Sequence, residues 1–213
     1  IISTTIYLLK GTYTTLNLYF VTALFSMPLS MLFAALQFSA PKFIRYIFDI
    51  YAWIFRGTPL ILQLIFFYYG LPLMTNNFIA FPAFTSAAIT FILNYSAYLM
   101  EIFRAGIESI EKGQYEAAYV LNLNHRQIMT RIILPQAVRR VLPPLSNEAI
   151  NLVKDTALVI VLGIGDLMLH AREILTRDFK LLPFVIAGII YLIFTSVLVL
   201  IFRRLERKYV IRN

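Results

Sequence analysis

Cysteine is absent from this chain of 213 residues, and histidine occurs only twice, at His125 and His170. Disulfides, thiol nucleophiles and thiolate metal sites are therefore excluded, and two histidines far apart in sequence form no metal-binding motif. Charged residues make up 14% of the chain, against roughly 25% in ordinary soluble domains. A Gly-x-x-x-x-Gly-Lys-Ser/Thr loop is also missing, so the sequence predicts neither an enzyme nor a nucleotide-hydrolysing subunit.

Hydrophobic residues, in contrast, make up 60% of the chain, and its mean hydropathy of +0.75 indicates lipid as the solvent. Three long runs carry no charge: Gly11–Pro41, Gly57–Met100 and Leu181–Phe202. The second has 44 residues and would reach roughly 66 Å as one helix, so it must form two spans joined by a turn. These runs predict transmembrane helices at about 13–38, 57–72, 82–103 and 181–202.

A fifth span at about 144–165 is predicted from the distribution of charge, although hydropathy alone would omit it. Counting it places the loops 39–56, 104–140 and 203–213 on one side of the membrane. That side then holds 14 of the 19 basic residues, in line with the preference for basic cytoplasmic loops. We therefore predict an all-helical integral membrane protein with a single domain, 1–213. It has five transmembrane helices, the N-terminus outside and the C-terminus in the cytoplasm.

The long cytoplasmic loop between the third and fourth spans carries signals of ordered structure. Gln114–Leu121 is a run of mostly good helix formers, and Asn122 stands where a helix ends in a left-handed residue. Asn124 with Gln127 three residues later is a capping-box pattern that starts a second helix, which we expect to end near Pro135. The pattern indicates two short helices joined by a tight turn. An amphipathic hairpin that only packs on the bilayer stays open as an alternative.

The same loop resembles the EAA loop of ATP-binding-cassette (ABC) importer permeases through Glu116-Ala117-Ala118, Asn122 and Ile132-Ile133-Leu134-Pro135. Further motifs in the expected order resemble the polar amino acid branch of that family, the histidine/glutamine/arginine type. They include Gly11-Thr12, Phe55-Arg56-Gly57-Thr58-Pro59-Leu60, Lys112-Gly113-Gln114, Leu142-Pro143-Pro144-Leu145 and Lys154-Asp155-Thr156. The resemblance covers essentially the whole chain. It departs at Asn122, which replaces a Gly; because Asn tolerates left-handed backbone, we expect the loop fold to persist.

The resemblance implies the type I ABC importer permease fold and a subunit that moves a polar amino acid into the cytoplasm. Two permease subunits, identical or paralogous, would bind two ABC ATPase subunits in the bacterial cytoplasmic membrane and receive the amino acid from an extracytoplasmic binding protein. ATP and Mg would lie on the ATPase, and this chain would bind no cofactor. The coupling helix that contacts the ATPase would include Tyr115, Glu116, Ala117, Ala118, Leu121 and Asn122.

Polar residues within the predicted spans must face protein or water, because a charge at the bilayer centre costs about 2.5–3.5 kcal/mol. In the fourth span, helical spacing places five of them on one broad stripe: Asn147, Glu148, Asn151, Lys154 and Asp155. We expect this stripe, with Asn94 and Tyr95 of the third span, to line the substrate pathway. Two alternatives stay open. The charged residues of the stripe could instead form an interhelical ion pair, and the Asn94 side chain could be bonded to backbone in a purely structural role.

Two residue sets at helix ends favour structural roles. Glu101 and Arg104, three residues apart, predict an ion pair at the end of the third span. Thr58 predicts an N-cap for the second span, with Pro59 in its first turn, although Arg56-Gly57-Thr58-Pro59 also belongs to the family signature. A stand-alone channel or ion-coupled carrier for a small polar solute is the alternative function that the residues leave open.

Overall fold

The computed structural model describes residues 2–209, which form helices and connecting turns with no strand among them. The α-helices are α1 (Ile2–Ser39), α2 (Lys42–Gly57), α3 (Leu60–Ile65), α4 (Leu71–Met74), α5 (Ala83–Glu108), α6 (Lys112–Val120), α7 (His125–Ile128), α8 (Leu134–Asp155), α9 (Leu167–Asp178) and α10 (Leu182–Tyr209). The π-helical turns Phe66–Gly70 and Met129–Ile133 connect α3 to α4 and α7 to α8, and a 3-10 helix, Thr156–Leu162, follows α8. The all-helical class predicted from the sequence is confirmed.

Three helices in the described residues are long and apolar enough to cross a membrane: α1, α5 and α10. A fourth candidate is the pair formed by α2 and Leu60–Met74, whose arms meet at a bend of 104°. The segment predicted as a span at about 144–165 is not one helix, because α8 ends at Asp155 and a 3-10 helix follows. The number of spans and their orientation therefore stay predictions.

Helical backbone continues across the boundary that the sequence predicts near Pro135, because the π-helical turn Met129–Ile133 leads directly into α8. The second loop helix does not end near Pro135, and that prediction is wrong. Pro135 lies in the first turn of α8, where a missing N–H has no helical partner to lose, so the helix begins there instead of ending. Pro143 and Pro144 also lie inside α8. One helix therefore runs from the EAA loop to Asp155.

The main apolar core lies where α1, α3, α5 and the 3-10 helix meet. Leu18, Leu64, Phe91 and Val159 each expose 1% or less of their surface there. Helices α1 and α5 run side by side, and the Ser96 hydroxyl of α5 donates to a carbonyl of α1 at 3.4 Å. Helix α10, by comparison, buries only Pro183 and Ala187, so its long apolar surface suits contact with lipid.

Helix α9 is attached to the N-terminal part of α1, at the end of the bundle opposite α6. The Thr15 hydroxyl accepts a hydrogen bond from the Leu167 backbone N–H at 3.2 Å, and the Asp166 side chain caps α9. Gly11 of α1 lies close to the start of α9, and a Cβ atom at this position would lie 2.5 Å from the Asp166 carbonyl oxygen. Glycine at position 11 therefore permits the close packing of these two helices.

Candidate functional site

A polar cavity of about 480 Å³ lies between the middle of α5, the break that separates α2 from α3, and α8. The break contributes Arg56, Gly57, Thr58, Pro59 and Leu60, α5 contributes Asn94, Tyr95 and Tyr98, and α8 contributes Glu148, Asn151 and Asp155. The wall thus combines carboxylate, guanidinium, amide and phenol groups with non-helical backbone. Such a wall suits a small polar solute that carries an ammonium group.

A hydrogen bond across this cavity joins α5 to α8. The Tyr95 hydroxyl donates to Asp155 Oδ2 at 2.6 Å, although the two residues are 60 positions apart. Tyr95 exposes 3% of its surface, and its ring stacks parallel to that of Phe91. The aromatic packing holds the phenol in place, so Asp155 receives a fixed donor at the last residue of α8.

A second cavity of about 530 Å³ lies nearer to α6 and shares Arg56, Tyr98 and Glu148 with the first. Its other residues come from α5, its C-cap residue Ser109 and α8, and they include Gly106 and Asn147. The two cavities together form one polar cleft, which runs from the middle of α5 to the end of the bundle that carries α6. We refer to both cavities as the cleft.

Ion pairs lie at the junction of the two cavities. Arg56 Nη1 is 3.2 Å from Glu101 Oε2, and the Arg56 guanidinium stands 5.6 Å from the centre of the Tyr98 ring. Arg104 pairs with Glu101 at 2.6 Å and with Glu108 at 2.8 Å. The predicted pair between Glu101 and Arg104 is therefore present, and Arg56 extends it from α5 to α2. The extended pair joins helices on two sides of the cleft.

The structure separates the residues predicted for the substrate pathway into three groups. Most of them line the first cavity: Asn94, Tyr95, Glu148, Asn151 and Asp155. Asn147 lines the second cavity. Lys154 is exposed and does not line either cavity, because it points about 100° away from its neighbour Asp155 around the helix axis. A pathway role for all seven residues stays a prediction.

Some residues of the cleft were missed as site residues, although the sequence contains a signal for them. Arg56 and the segment Gly57–Leu60 belong to a family motif that also fits the pattern of a helix cap. The expected cap is wrong: Thr58 donates to the Ile54 carbonyl at 2.8 Å, and Pro59 is the N-cap residue of α3. Tyr98 gives no local signal, because the carbonyl that its hydroxyl contacts belongs to Arg56 on another helix.

The turn between the two helices of the EAA loop folds as its local sequence predicts. Asn122 has a φ of 56°, so the predicted left-handed residue between the two helices is confirmed. The capping box is also confirmed, because the Gln127 backbone N–H donates to Asn124 Oδ1 and the Asn124 N–H donates to Gln127 Oε1, each at 2.9 Å. Helix α6 begins at Lys112 and ends at Val120, slightly earlier than expected at both ends.

The residues predicted to couple to the ATPase divide by exposure. Glu116, Ala117 and Leu121 are exposed, and Leu121 exposes 72% of its surface. Ala118 is 1% exposed and packs in an intrachain cluster with Ile110, Ile128 and Ile133. Its small side chain packs within the loop and is not exposed to a partner, although the resemblance implied that Ala118 belongs to the surface that contacts the ATPase.

Tyr115 and the exposed apolar tip of α6 complete this region. Tyr115 packs against the same intrachain cluster, and burial raises the pKa of its hydroxyl. Tyr119 and Val120 are 57% and 86% exposed, next to the exposed Leu121. Helix α6 therefore presents an apolar tip, Tyr119–Leu121, beside the exposed Glu116 and Ala117. In the described residues, no group of three or more His, Asp or Glu side chains gathers as a metal site.

Comparisons with known proteins bear on this arrangement. The sequence profile of the family "binding-protein-dependent transport system inner membrane component" matches residues 26–211. The arginine transport system permease protein ArtQ of Bacillus subtilis is 37% identical over 203 residues, which cover 95% of this chain and 92% of the relative. The glutamine transport system permease protein GlnP of Escherichia coli is 42% identical over 156 residues, which cover 73% and 71% of the two chains.

Solved structures share the fold. The crystal structure of an amino acid ABC transporter with histidines superposes with a TM-score of 0.89 at 33% identity, covering 97% of this chain and 96% of the other. A chain of the MetNI methionine ABC transporter in an inward-facing conformation shares the fold with a TM-score of 0.79 at 18% identity.

This chain belongs to the family of inner membrane components of binding-protein-dependent transport systems. The family resemblance and the permease fold predicted from the sequence are thus confirmed. The chain is the membrane permease of an ABC importer; it is not an enzyme, and ATP hydrolysis belongs to separate ATPase subunits. It works with an ATPase and a binding protein as partners.

Proposed function

We propose that this chain forms the membrane path by which an ATP-driven importer carries a polar amino acid into the cytoplasm. The observation that carries the proposal is the polar cleft between α5 and α8, in a molecule whose long helices expose many large apolar side chains. Its carboxylates, Glu148 and Asp155, suit the ammonium group that every amino acid carries. The named substrates of the relatives, glutamine and arginine, are polar amino acids as well.

The assembly that we propose contains two permease subunits, identical or paralogous, two ABC ATPase subunits and one extracytoplasmic binding protein in the bacterial cytoplasmic membrane. ATP and Mg bind to the ATPase subunits, and this chain binds no cofactor. The exposed Lys154, which lines neither cavity, supports a second permease, because polar groups at membrane depth require protein or water rather than lipid as a neighbour. A second subunit facing α8 supplies such a neighbour.

We propose that the membrane topology has five spans, with the N-terminus outside. The fourth span then consists of the second half of α8 followed by the 3-10 helix Thr156–Leu162. The concentration of 14 of the 19 basic residues on the side of the EAA loop supports this orientation. Because the chain has no cysteine, single cysteines introduced into the loops can be labelled from either side, and cytoplasmic labelling near α9 would contradict the topology.

We propose that α6 is the coupling helix. The apolar tip Tyr119–Leu121, with Glu116 and Ala117 beside it, is available to enter a groove of the ATPase. The connection to the cleft is direct, because α8 starts one π-helical turn after the loop and ends at Asp155. A displacement of the loop therefore moves a residue in the cavity wall through a single helix.

Uptake by the reconstituted complex tests the function. Liposomes that contain the permease and its ATPase, supplied with the binding protein, are expected to accumulate labelled arginine, glutamine or histidine only when ATP is present. Glu148→Gln is expected to lower uptake, whereas the matched substitution Asp178→Asn, at an exposed carboxylate outside the cleft, is expected to leave it unchanged. Flux without ATP would instead favour a channel or an ion-coupled carrier.

A further inference from the structure

The chain breaks its helical structure between α2 and α3, in the wall of the first cavity. Thr58 and Pro59 have extended backbone, with ψ angles of 146° and 135°, and the two helices bend by 104° around them. Asn94, near the midpoint of α5, lies beside this break. Non-helical backbone at membrane depth is tolerated only where it is buried in protein or lines a water-filled cavity, so the backbone groups of the break that turn away from the cavity need partners within the protein.

Gln63 reaches two carbonyls of the break with its side-chain amide. This side chain exposes only 7% of its surface. Its Nε2 atom lies 2.9 Å from the Phe55 carbonyl oxygen, 3.1 Å from the Thr58 carbonyl oxygen and 2.8 Å from the Thr58 hydroxyl, and these three acceptors share its two N–H groups. A single amide group of α3 thus reaches back across the break to the end of α2.

Asn94 approaches the same carbonyl from a third helix. It is 4% exposed, and its Nδ2 atom donates to the Phe55 carbonyl and to Gln63 Oε1, each at 3.0 Å. Gln63 and Asn94 therefore form one hydrogen-bonded unit, which we call the amide clamp. The amide clamp ties α2, α3 and α5 together at one carbonyl oxygen.

The segment held by the amide clamp is also a wall of the cavity. Gly57, Thr58, Pro59 and Leu60 line it, and apart from the adjoining chain no atom lies within 4 Å of the position that a Cβ of Gly57 would take. The backbone between Phe55 and Leu60 therefore faces open space on one side and the amide clamp on the other. The shape of this wall depends on the side chains that fix the break.

We propose that Gln63 and Asn94 are positioning residues for transport, which hold the break between α2 and α3 so that its backbone forms the substrate-facing wall of the cavity. This inference rests on the proposed function, because it assigns a role within the same pathway. Asn94 acts on the pathway through the backbone that it holds. Gln63, which does not line the cavity, is as important as Asn94.

The chain offers a matched control for loss of a buried amide. Gln37 is also 7% exposed, and its Nε2 donates to Asp49 Oδ1 at 2.7 Å, where α1 meets α2. It does not line the cleft. Replacing Gln37 or Gln63 with Met removes a buried amide of the same size, but only Gln63→Met releases the break.

The experiment uses the assembled permease–ATPase complex with Gly57→Cys, which introduces a single thiol into this chain. The rate at which a cationic methanethiosulfonate labels that thiol reports on the wall, and saturating arginine, glutamine or histidine is expected to slow it. Adding Gln63→Met is expected to change the rate by about tenfold, as the loss of a buried hydrogen-bond partner would, and to remove the protection. Gln37→Met is expected to leave the labelling rate and the protection by the amino acid unchanged. Asn94→Leu is expected to act like Gln63→Met, and the double variant no more strongly than the larger single effect.

Equal labelling rates with and without Gln63→Met, or equal changes for Gln63→Met and Gln37→Met, would overturn the proposal. Gln63→Glu, which retains the acceptor and removes the donor, is the second variant. If neither variant assembles while Gln37→Met does, the amide clamp has only a structural role and the proposal fails. If no amino acid protects the introduced thiol in the parent complex, the substrate does not pass this cavity and the proposed pathway is wrong. The labelling rates of the Gln63 and Gln37 variants would still test whether the amide clamp holds the wall.

Discussion

The cleft and the EAA loop are held together by different kinds of contact. In the cleft, the hydrogen bonds from Asn94 to Gln63 and from Tyr95 to Asp155 join residues 31 and 60 positions apart, on different helices. In the loop, the capping box joins Asn124 to a residue three positions away, and Leu123 bonds to the carbonyl of Ala118. Relative movement of helices therefore disturbs the cleft and leaves the loop intact. A loop of this kind can transmit a displacement as a rigid piece, and a cleft of this kind can respond to it.

The strongest test of this contrast is Asp155→Ala in the cleft. It removes the acceptor of the buried Tyr95 hydroxyl and a carboxylate of the cavity wall, so we expect uptake to fall by about a hundredfold, equivalent to ~3 kcal/mol. Membrane levels of the protein should stay normal, because the helix inserts more readily without the charge. Uptake by reconstituted complexes, with immunoblots for protein level, measures both. Loss of assembled protein would favour a structural ion pair.

Lys154→Ala sharpens the same comparison at the neighbouring position. Lys154 is exposed beside the cavity residue Asp155, and both are expected to be required for uptake. Lower uptake with normal protein level would show that the pathway extends to the outer face of α8. Full uptake would confine it to the cavity that Asp155 lines.

In the loop, Ala117→Trp is expected to weaken coupling by about tenfold, because a bulky side chain on the exposed face overfills the groove for α6. The permease itself should remain folded. ATPase co-purification and substrate-stimulated hydrolysis, measured together, give the result. The control is Ala118→Trp, which is expected to disrupt the loop itself, since Ala118 is 1% exposed. Wild-type values for Ala117→Trp would favour the hairpin that packs on the bilayer.

A smaller effect is expected at Asn122, whose φ is 56°. Asn122→Val should destabilise the turn by about 1–3 kcal/mol, because a β-branched residue is strained in left-handed backbone. Asn122→Gly should be neutral or stabilising. Hydrogen exchange of the α6 and α7 amides is the measurement, and we expect faster exchange in Asn122→Val than in Asn122→Gly. Equal protection in the two variants would contradict the strain argument.

The smallest effect is expected for Asn124→Ala, which removes the capping box. Loss of an N-cap costs about 1 kcal/mol, and the effect should be confined to α7 and the π-helical turn after it. Hydrogen exchange is again the measurement, and substrate uptake should change little. A large loss of uptake would mean that the loop does not act as a rigid piece, and the contrast with the cleft would fail.

Several features of the fold were determined by the sequence alone. Uncharged runs of span length predicted α1, α5 and α10, because the thickness of a bilayer sets the length of a helix that crosses it. The left-handed Asn122 and the cap at Asn124 were also predicted correctly. Their conformations depend on side chains within four positions, so local sequence contains the information. The family motifs around the EAA loop indicated a permease because they too are short stretches of local sequence.

The arrangement of the cleft was decided only by the tertiary structure. Sequence spacing places Lys154 and Asp155 on one broad stripe, but the packing of α8 decides that Asp155 faces the cavity and Lys154 does not. In the same way, packing on α7 buries Ala118, and the approach of α5 brings Asn94 to the break that Gln63 holds. Local sequence defines which residues share a helical face. The rotation of that face toward another helix depends on contacts between residues tens of positions apart, and these form only when the helices pack.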